Sequence, residues 1–118
     1  MALCVQIRAL EEAHMAALAG EAALGASVKH QDRLERQARG AVVYLIAWER
    51  DRPVGHILVK WAGAQEEPVA SGLQACPDLE DLLVVPDRRS QGIGSRLLVG
   101  AEELALARGY GVPQSSER

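Results

Sequence analysis

Leu79-Glu80-Asp81-Leu82-Leu83-Val84-Val85, closed by Pro86 and followed by Arg89-Ser90-Gln91-Gly92-Ile93-Gly94, decides how this chain is read. The first run is short, apolar and bounded by a proline, which suits a strand. Beyond the glycines, Ser95 to Arg108 is amphipathic and reads as a helix. Leu97, Leu98, Ala101, Leu104 and Ala105 lie on one side of it. A strand, a glycine-rich turn with an arginine, and a helix start make a phosphate cradle. Glycines let backbone amides approach an anion, and the free N–H groups of the first helical turn point at it. A pyrophosphate-bearing ligand is the first expectation. The alternative is a glycine connection that binds nothing.

Three phosphate motifs compete. A nucleoside-triphosphate loop needs Gly-Lys-Ser/Thr, and here Ser95-Arg96 follows Gly94. A dinucleotide fingerprint needs three glycines directly after the strand. Here Leu97 stands where the third would be, and Pro86 to Gln91 intervene. What remains, Arg/Gln-x-x-Gly-x-Gly/Ala, resembles the pyrophosphate loop of the GNAT superfamily of acetyl-CoA-dependent N-acetyltransferases. The wider window, Leu79 to Val84 with Asp87, Arg89 and Gly92-Ile93-Gly94-Ser95, resembles spermidine/spermine-type N-acetyltransferases. Upstream, Val5-Gln6-Ile7-Arg8-Ala9 is similar to the first strand of that fold. Arg52-Pro53-Val54-Gly55-His56 is similar to the hairpin entering its third strand.

The resemblance implies an α/β fold (α+β by some schemes) with a mostly antiparallel sheet. It implies acetyl-CoA as co-substrate, a small-molecule or peptide amine as acceptor, and no metal. Backbone groups of Leu82, Leu83 and Val84 would bind the pantetheine arm, with the Val84 N–H polarising the thioester carbonyl. Arg89, Ser90, Gln91, Gly92, Ile93, Gly94 and Ser95 would bind the pyrophosphate. Ser90 stands where the family often has glycine, and a strained serine there would weaken the site. Glu80 sits where these enzymes often place the general base, and a solvent-facing acidic residue is the alternative. Strand alternation puts Asp81 on the opposite face from Glu80. The family's usual general acid, a tyrosine after the fifth strand, has no counterpart here.

The 118 residues support one domain. The formal charge is −3, the aromatics number two Trp and two Tyr, and no basic run occurs. That argues against nucleic acid as a partner. No apolar run reaches membrane-span length, and the N-terminus lacks signal-peptide character. Cys4 and Cys76 are too few and too unpatterned for a disulfide framework or a zinc site, and fit a reducing cytoplasm.

The rest of the chain fills in the order β-α-α-β-β-β-α. Leu3, Val5 and Ile7 alternate as a strand. Leu10 to Ala23 reads as one helix weakened by Gly20, and Ser27 as a cap for a second helix, His30 to Ala38. Asp32–Arg36 and Glu35–Arg39 are spaced as ion pairs on it. Val42 to Trp48 and Val54 to Trp61 form a hairpin, with Gly55 marking a bulge or a close backbone approach. Residues 62–78 read as a loop. Tyr44 is assigned to the core, Trp48 and Trp61 to hairpin packing, and His30 and Arg88 to the surface.

Residues 1–110 then form one GNAT-like domain without the family's usual C-terminal strand-helix-strand part, and 111–118 a polar tail. Two functions follow. One is an N-acetyltransferase acting on a primary amine. The other is a truncated, catalytically silent module for CoA binding or interaction. An open fourth-strand edge carrying Leu82 to Val85 predicts a homodimer or higher oligomer.

Overall fold

The computed structural model describes residues 5–61 and 77–108. The four strands are β1 (Gln6–Ala9), β2 (Val42–Glu49), β3 (Arg52–Lys60) and β4 (Asp78–Val84). They form one antiparallel sheet in the order β1-β2-β3-β4. The helices are α1 (Met15–Ala19), α2 (Ser27–Ala38) and α3 (Ile93–Ala107). The element order matches the sequence reading. Cys4, Cys76, residues 62–76 of the expected 62–78 loop, Tyr110 and the expected tail at 111–118 lie outside the described residues, and Asp78 opens β4 instead.

The sheet is covered on both faces. Tyr44, Leu58 and His56 look toward α2, and the Tyr44 hydroxyl meets His30 of that helix at 2.9 Å. Leu45 and Ile7 look the other way, onto Gly100 of α3. α3 lays Ile93, Leu97, Ala101 and Ala105 against the sheet, a four-residue repeat that keeps one stripe inward. β2 and β3 are buried almost throughout, as central strands flanked by two layers should be.

Three details differ from the sequence reading. The first helix is not continuous: a 3₁₀ turn at Glu12–His14 precedes α1, and another follows at Ala22–Leu24. Gly20 and Gly25 bracket the break, and Leu18 and Leu24 anchor the two pieces in the core. Ser27 is the first residue of α2 rather than its cap, since Ala26 holds the cap position in an extended conformation. Of the two expected ion pairs on α2, Asp32–Arg36 forms at 3.1 Å, whereas Glu35 accepts from Gln31 at 3.3 Å.

Gly55 is a close-approach glycine beside an irregularity. Pairing steps from Ala47↔Gly55 to Trp48↔Pro53, leaving Val54 without a partner on β2. A Cβ at Gly55 would stand 2.9 Å from the Leu83 carbonyl oxygen and 3.2 Å from Leu97 Cδ1. The first neighbour is backbone of β4 and cannot swing aside. Gly55→Ala is therefore expected to destabilise the protein by about 1–3 kcal/mol, the usual range for overpacking, read as a lowered melting temperature.

Candidate active site

β4 carries an extra residue. Its register with β3 jumps from Leu58↔Glu80 to His56↔Leu83, so two positions are crossed on β3 and three on β4. Asp81 adopts φ 57, in the left-handed region that a non-glycine residue enters only at a cost. This is a bulge, and it breaks the alternation on which the opposite-face reading of Glu80 and Asp81 rested. Glu80 stands opposite Leu58 on the α2 face. Asp81 reaches the same side, where Lys29 Nζ (3.2 Å) and Arg33 Nη1 (2.8 Å) meet its Oδ2. Both carboxylates thus belong to one face.

Their surroundings differ. Glu80 is half exposed and accepts from Lys60 Nζ at 3.2 Å. Asp81 is partly shielded; burial pushes its carboxyl up, but the Arg33 and Lys29 bonds and His56 hold it below the usual carboxylate range. Leu82 and Val84 turn to the other face, toward the first turn of α3. A Cβ at Gly94 would lie 3.9 Å from Leu82 Cδ2 and 4.0 Å from Val84 Cγ2. Leu83 lies opposite His56.

Adjacent residues of a strand point their backbone groups to opposite edges. The Val85 N–H donates inward to the Val54 carbonyl at 2.9 Å. The Val84 N–H and C=O therefore face the outer edge of β4. Arg89 confirms this: its Nε donates to the Val84 carbonyl at 2.9 Å. That bond pins the turn to the strand edge.

The turn runs from a 3₁₀ segment at Pro86–Arg88 into α3. Ser90 (φ 67) and Gly92 (φ 87) are both left-handed, and Gly92 caps α3. The first intrahelical bond runs from Arg96 N to the Gly92 carbonyl at 3.1 Å. The amides of Ile93, Gly94 and Ser95 precede it and have no intrahelical acceptor. They form the positive end of the helix. A Cβ at Gly92 would meet nothing within 4 Å, so backbone conformation rather than space calls for glycine there.

The base of the turn is braced by charge. Arg52 donates from Nε to Glu21 (2.9 Å) and from Nη1 to Asp87 (2.9 Å). Arg88, expected as a solvated surface group, is instead held by Glu49 at 2.8 Å. Behind the bulge lies a polar cluster that the sequence reading did not assemble. His30 and His56 are fully buried, which corrects the surface assignment of His30. Tyr44 completes a triangle with them, 5.7 Å and 5.2 Å from their ring centres, and its hydroxyl is pushed up to about 12, chiefly by burial. Tyr44 is therefore a core residue, as expected. Trp48 and Trp61 are buried as well.

A groove of about 1080 Å³ runs elsewhere, between β1 and α3, past Ile7, Leu45, Gly100 and Leu104. Of the turn residues Arg89 to Ser95 only Ser95 borders it, so volume alone does not mark the candidate site. No cluster of His, Cys, Asp and Glu able to hold a metal occurs among the described residues. No helix among them is long and apolar enough to cross a membrane.

The profile of the acetyltransferase (GNAT) family matches residues 7–113. No curated protein matches the chain. Among solved structures, a Trypanosoma brucei acetyltransferase superposes with a TM-score of 0.71 at 22% identity, covering 97% of this chain and 84% of its own. Glucosamine-6-phosphate N-acetyltransferase from Arabidopsis thaliana gives 0.71 at 16%, with 91% and 78% covered. The PaiA N-acetyltransferase of Thermoplasma acidophilum, solved with coenzyme A, gives 0.66 at 18%, with 91% and 75% covered. At these identities the structural likeness speaks for the fold.

Proposed function

The chain belongs to the acetyltransferase (GNAT) family, and from that premise we propose that it moves an acetyl group from acetyl-CoA to a primary amine of a small molecule or peptide. One juxtaposition carries the reading. The Leu82 and Val84 side chains pack toward Gly94, which sets the outward backbone edge of β4 beside the helix start whose amides are free. A long donor with an extended arm and a pyrophosphate needs both features at once. The arm runs along Leu82, Leu83 and Val84 as an added strand would. The pyrophosphate sits on Arg89, Ser90, Gln91, Gly92, Ile93, Gly94 and Ser95, where amides and helix dipole favour an anion.

Glu80 acts as general base from the α2 face. It takes a proton from the amine as the nitrogen attacks the acetyl carbonyl. The Val84 N–H stabilises the oxyanion of the tetrahedral intermediate. The C–S bond then breaks, the amide forms, and the CoA thiolate takes up a proton. Tyr44 is not the source of that proton, because it is fully buried and bonded to His30. The narrower likeness of Leu79–Ser95 to spermidine/spermine-type enzymes rests on sequence alone. When no donor occupies it, the unpaired outer edge of β4 also favours assembly of the chain as a homodimer or higher oligomer at or near that edge.

The test is calorimetric titration with CoA and thiol release from acetyl-CoA over a panel of amines. A Cβ at Gly94 would meet only ordinary contacts, and thermal melting checks that Gly94→Leu keeps the fold. Its longer side chain would fill the gap between helix start and β4 and weaken CoA binding by about tenfold or more, about 1.4 kcal/mol. Equal affinity for CoA and for a nucleotide lacking the pantetheine arm would rule out the strand contacts.

A further inference from the structure

His56 follows Gly55 on β3 and is fully buried. Its Nδ1 lies 3.0 Å from the Asp81 carbonyl oxygen, and its Nε2 lies 3.0 Å from the Leu24 carbonyl oxygen. One imidazole therefore spans from the segment before α2 to the bulge of β4. Nothing in the acetyl transfer described above uses it.

The two carbonyls are not equivalent. The register jump leaves Asp81 and Leu82 without partners on β3. The left-handed Asp81 turns its peptide out of the ladder. A carbonyl withdrawn from the ladder and facing a buried ring needs another donor, and His56 Nδ1 is at hand. Burial, the largest influence on this ring, lowers its pKa. At neutral pH the ring then carries one N–H, which can sit on either nitrogen.

We propose that His56 is a positioning residue for acetyl transfer: with its hydrogen on Nδ1, it donates to the Asp81 carbonyl and fixes the bulge that aims the Leu82–Val84 backbone. The proposal rests on the reading that this backbone receives the donor arm. His56 touches no reacting atom. It acts through the path of β4, which must leave β3 after Glu80 and rejoin it at Leu83.

Two isosteric amides separate its two contacts. The amide nitrogen of asparagine can stand where Nδ1 stands, and that of glutamine where Nε2 stands. His56→Asn keeps a donor at the Asp81 carbonyl, His56→Gln moves the donor to the Leu24 carbonyl, and His56→Leu offers neither. Amide exchange at Leu82–Val84 and CoA affinity are measured in all three, with thermal melting as the folding control. The Gln and Leu variants should exchange and release CoA about tenfold more readily, the scale of one lost hydrogen bond, while Asn stays close to the native protein. Equal effects of Asn and Gln would overturn the proposal.

Long-range nitrogen–proton NMR of the unaltered protein gives a second reading that needs no variant to fold. Hydrogen on Nδ1 supports the proposal, and hydrogen on Nε2 alone defeats it. If the unaltered protein bound no CoA, the reading of function would fall. The exchange contrast between Asn and Gln would still decide what His56 does to the bulge.

Discussion

Replacing Glu80 with glutamine is expected to lower the rate of amine acetylation about 10²-fold at neutral pH, the low end for loss of a general base. Glutamine keeps the size of the side chain and its ability to accept from Lys60, which meets Glu80 at 3.2 Å. The fold should be unaffected, because the carboxylate is half exposed and its ion pair with Lys60 is a surface one, worth little. The loss should shrink as pH rises, since more of the amine is then already neutral. Steady-state kinetics across pH on the native and variant proteins reads both effects. An unchanged rate would reduce Glu80 to a partner of Lys60. Asp81 would not inherit the role, because Lys29 and Arg33 already hold its carboxylate.

The second large effect is on stability. Burial, helped by Lys29, His56 and Arg33, lowers the His30 imidazole from 6.5 to about 4 against the opposing pull of the Gly25 carbonyl. Between those two values the unfolded chain binds more protons than the folded one, so acid favours unfolding. Stability present at pH 7 is lost as pH falls from 6.5 to about 4. For this one group the loss amounts to about 3 kcal/mol. His56, also lowered by burial, adds to the same slope. Urea unfolding at pH 7 and near pH 4 measures it. His30→Gln should remove most of the His30 share, whatever it does to absolute stability. A native protein equally stable at both pH values would mean that His30 is solvated, contrary to its position against Tyr44.

Much of this was legible in the sequence for a simple reason: the informative elements are local. The apolar run before Pro86, the glycines after it and the leucine stripe of α3 are each set by residues within a turn or two. So is the β2–β3 hairpin around Arg50 and Asp51. The site is less local, and that is where reading by pattern failed. Alternation predicts opposite faces for Glu80 and Asp81, but the bulge is a property of β4 paired with β3. The burial of His30 and His56 is equally hidden. His30 needs Tyr44, 14 positions away, and His56 needs Leu24 and Asp81, 32 and 25 positions away. A histidine flanked by polar residues on a helix gives no sign of such partners. Arg52, which braces the turn through Glu21 and Asp87, reads in sequence only as part of the hairpin entering the third strand.

The bulge has a further consequence in genetic terms, for it is one codon long. Leu79 and Leu82 flank the pair Glu80–Asp81, and both side chains of that pair lie on one face. Excising codon 81 would leave Glu80, Leu82, Leu83 and Val84 facing as they do now, in unbroken alternation. The hydrophobic faces therefore exert no selection to retain it. What would vanish is the acceptor of Lys29 and Arg33 and the carbonyl opposite His56. A lineage under pressure only to stay folded could shed this codon in a single in-frame event. One under pressure to keep the bulge and its contacts could not.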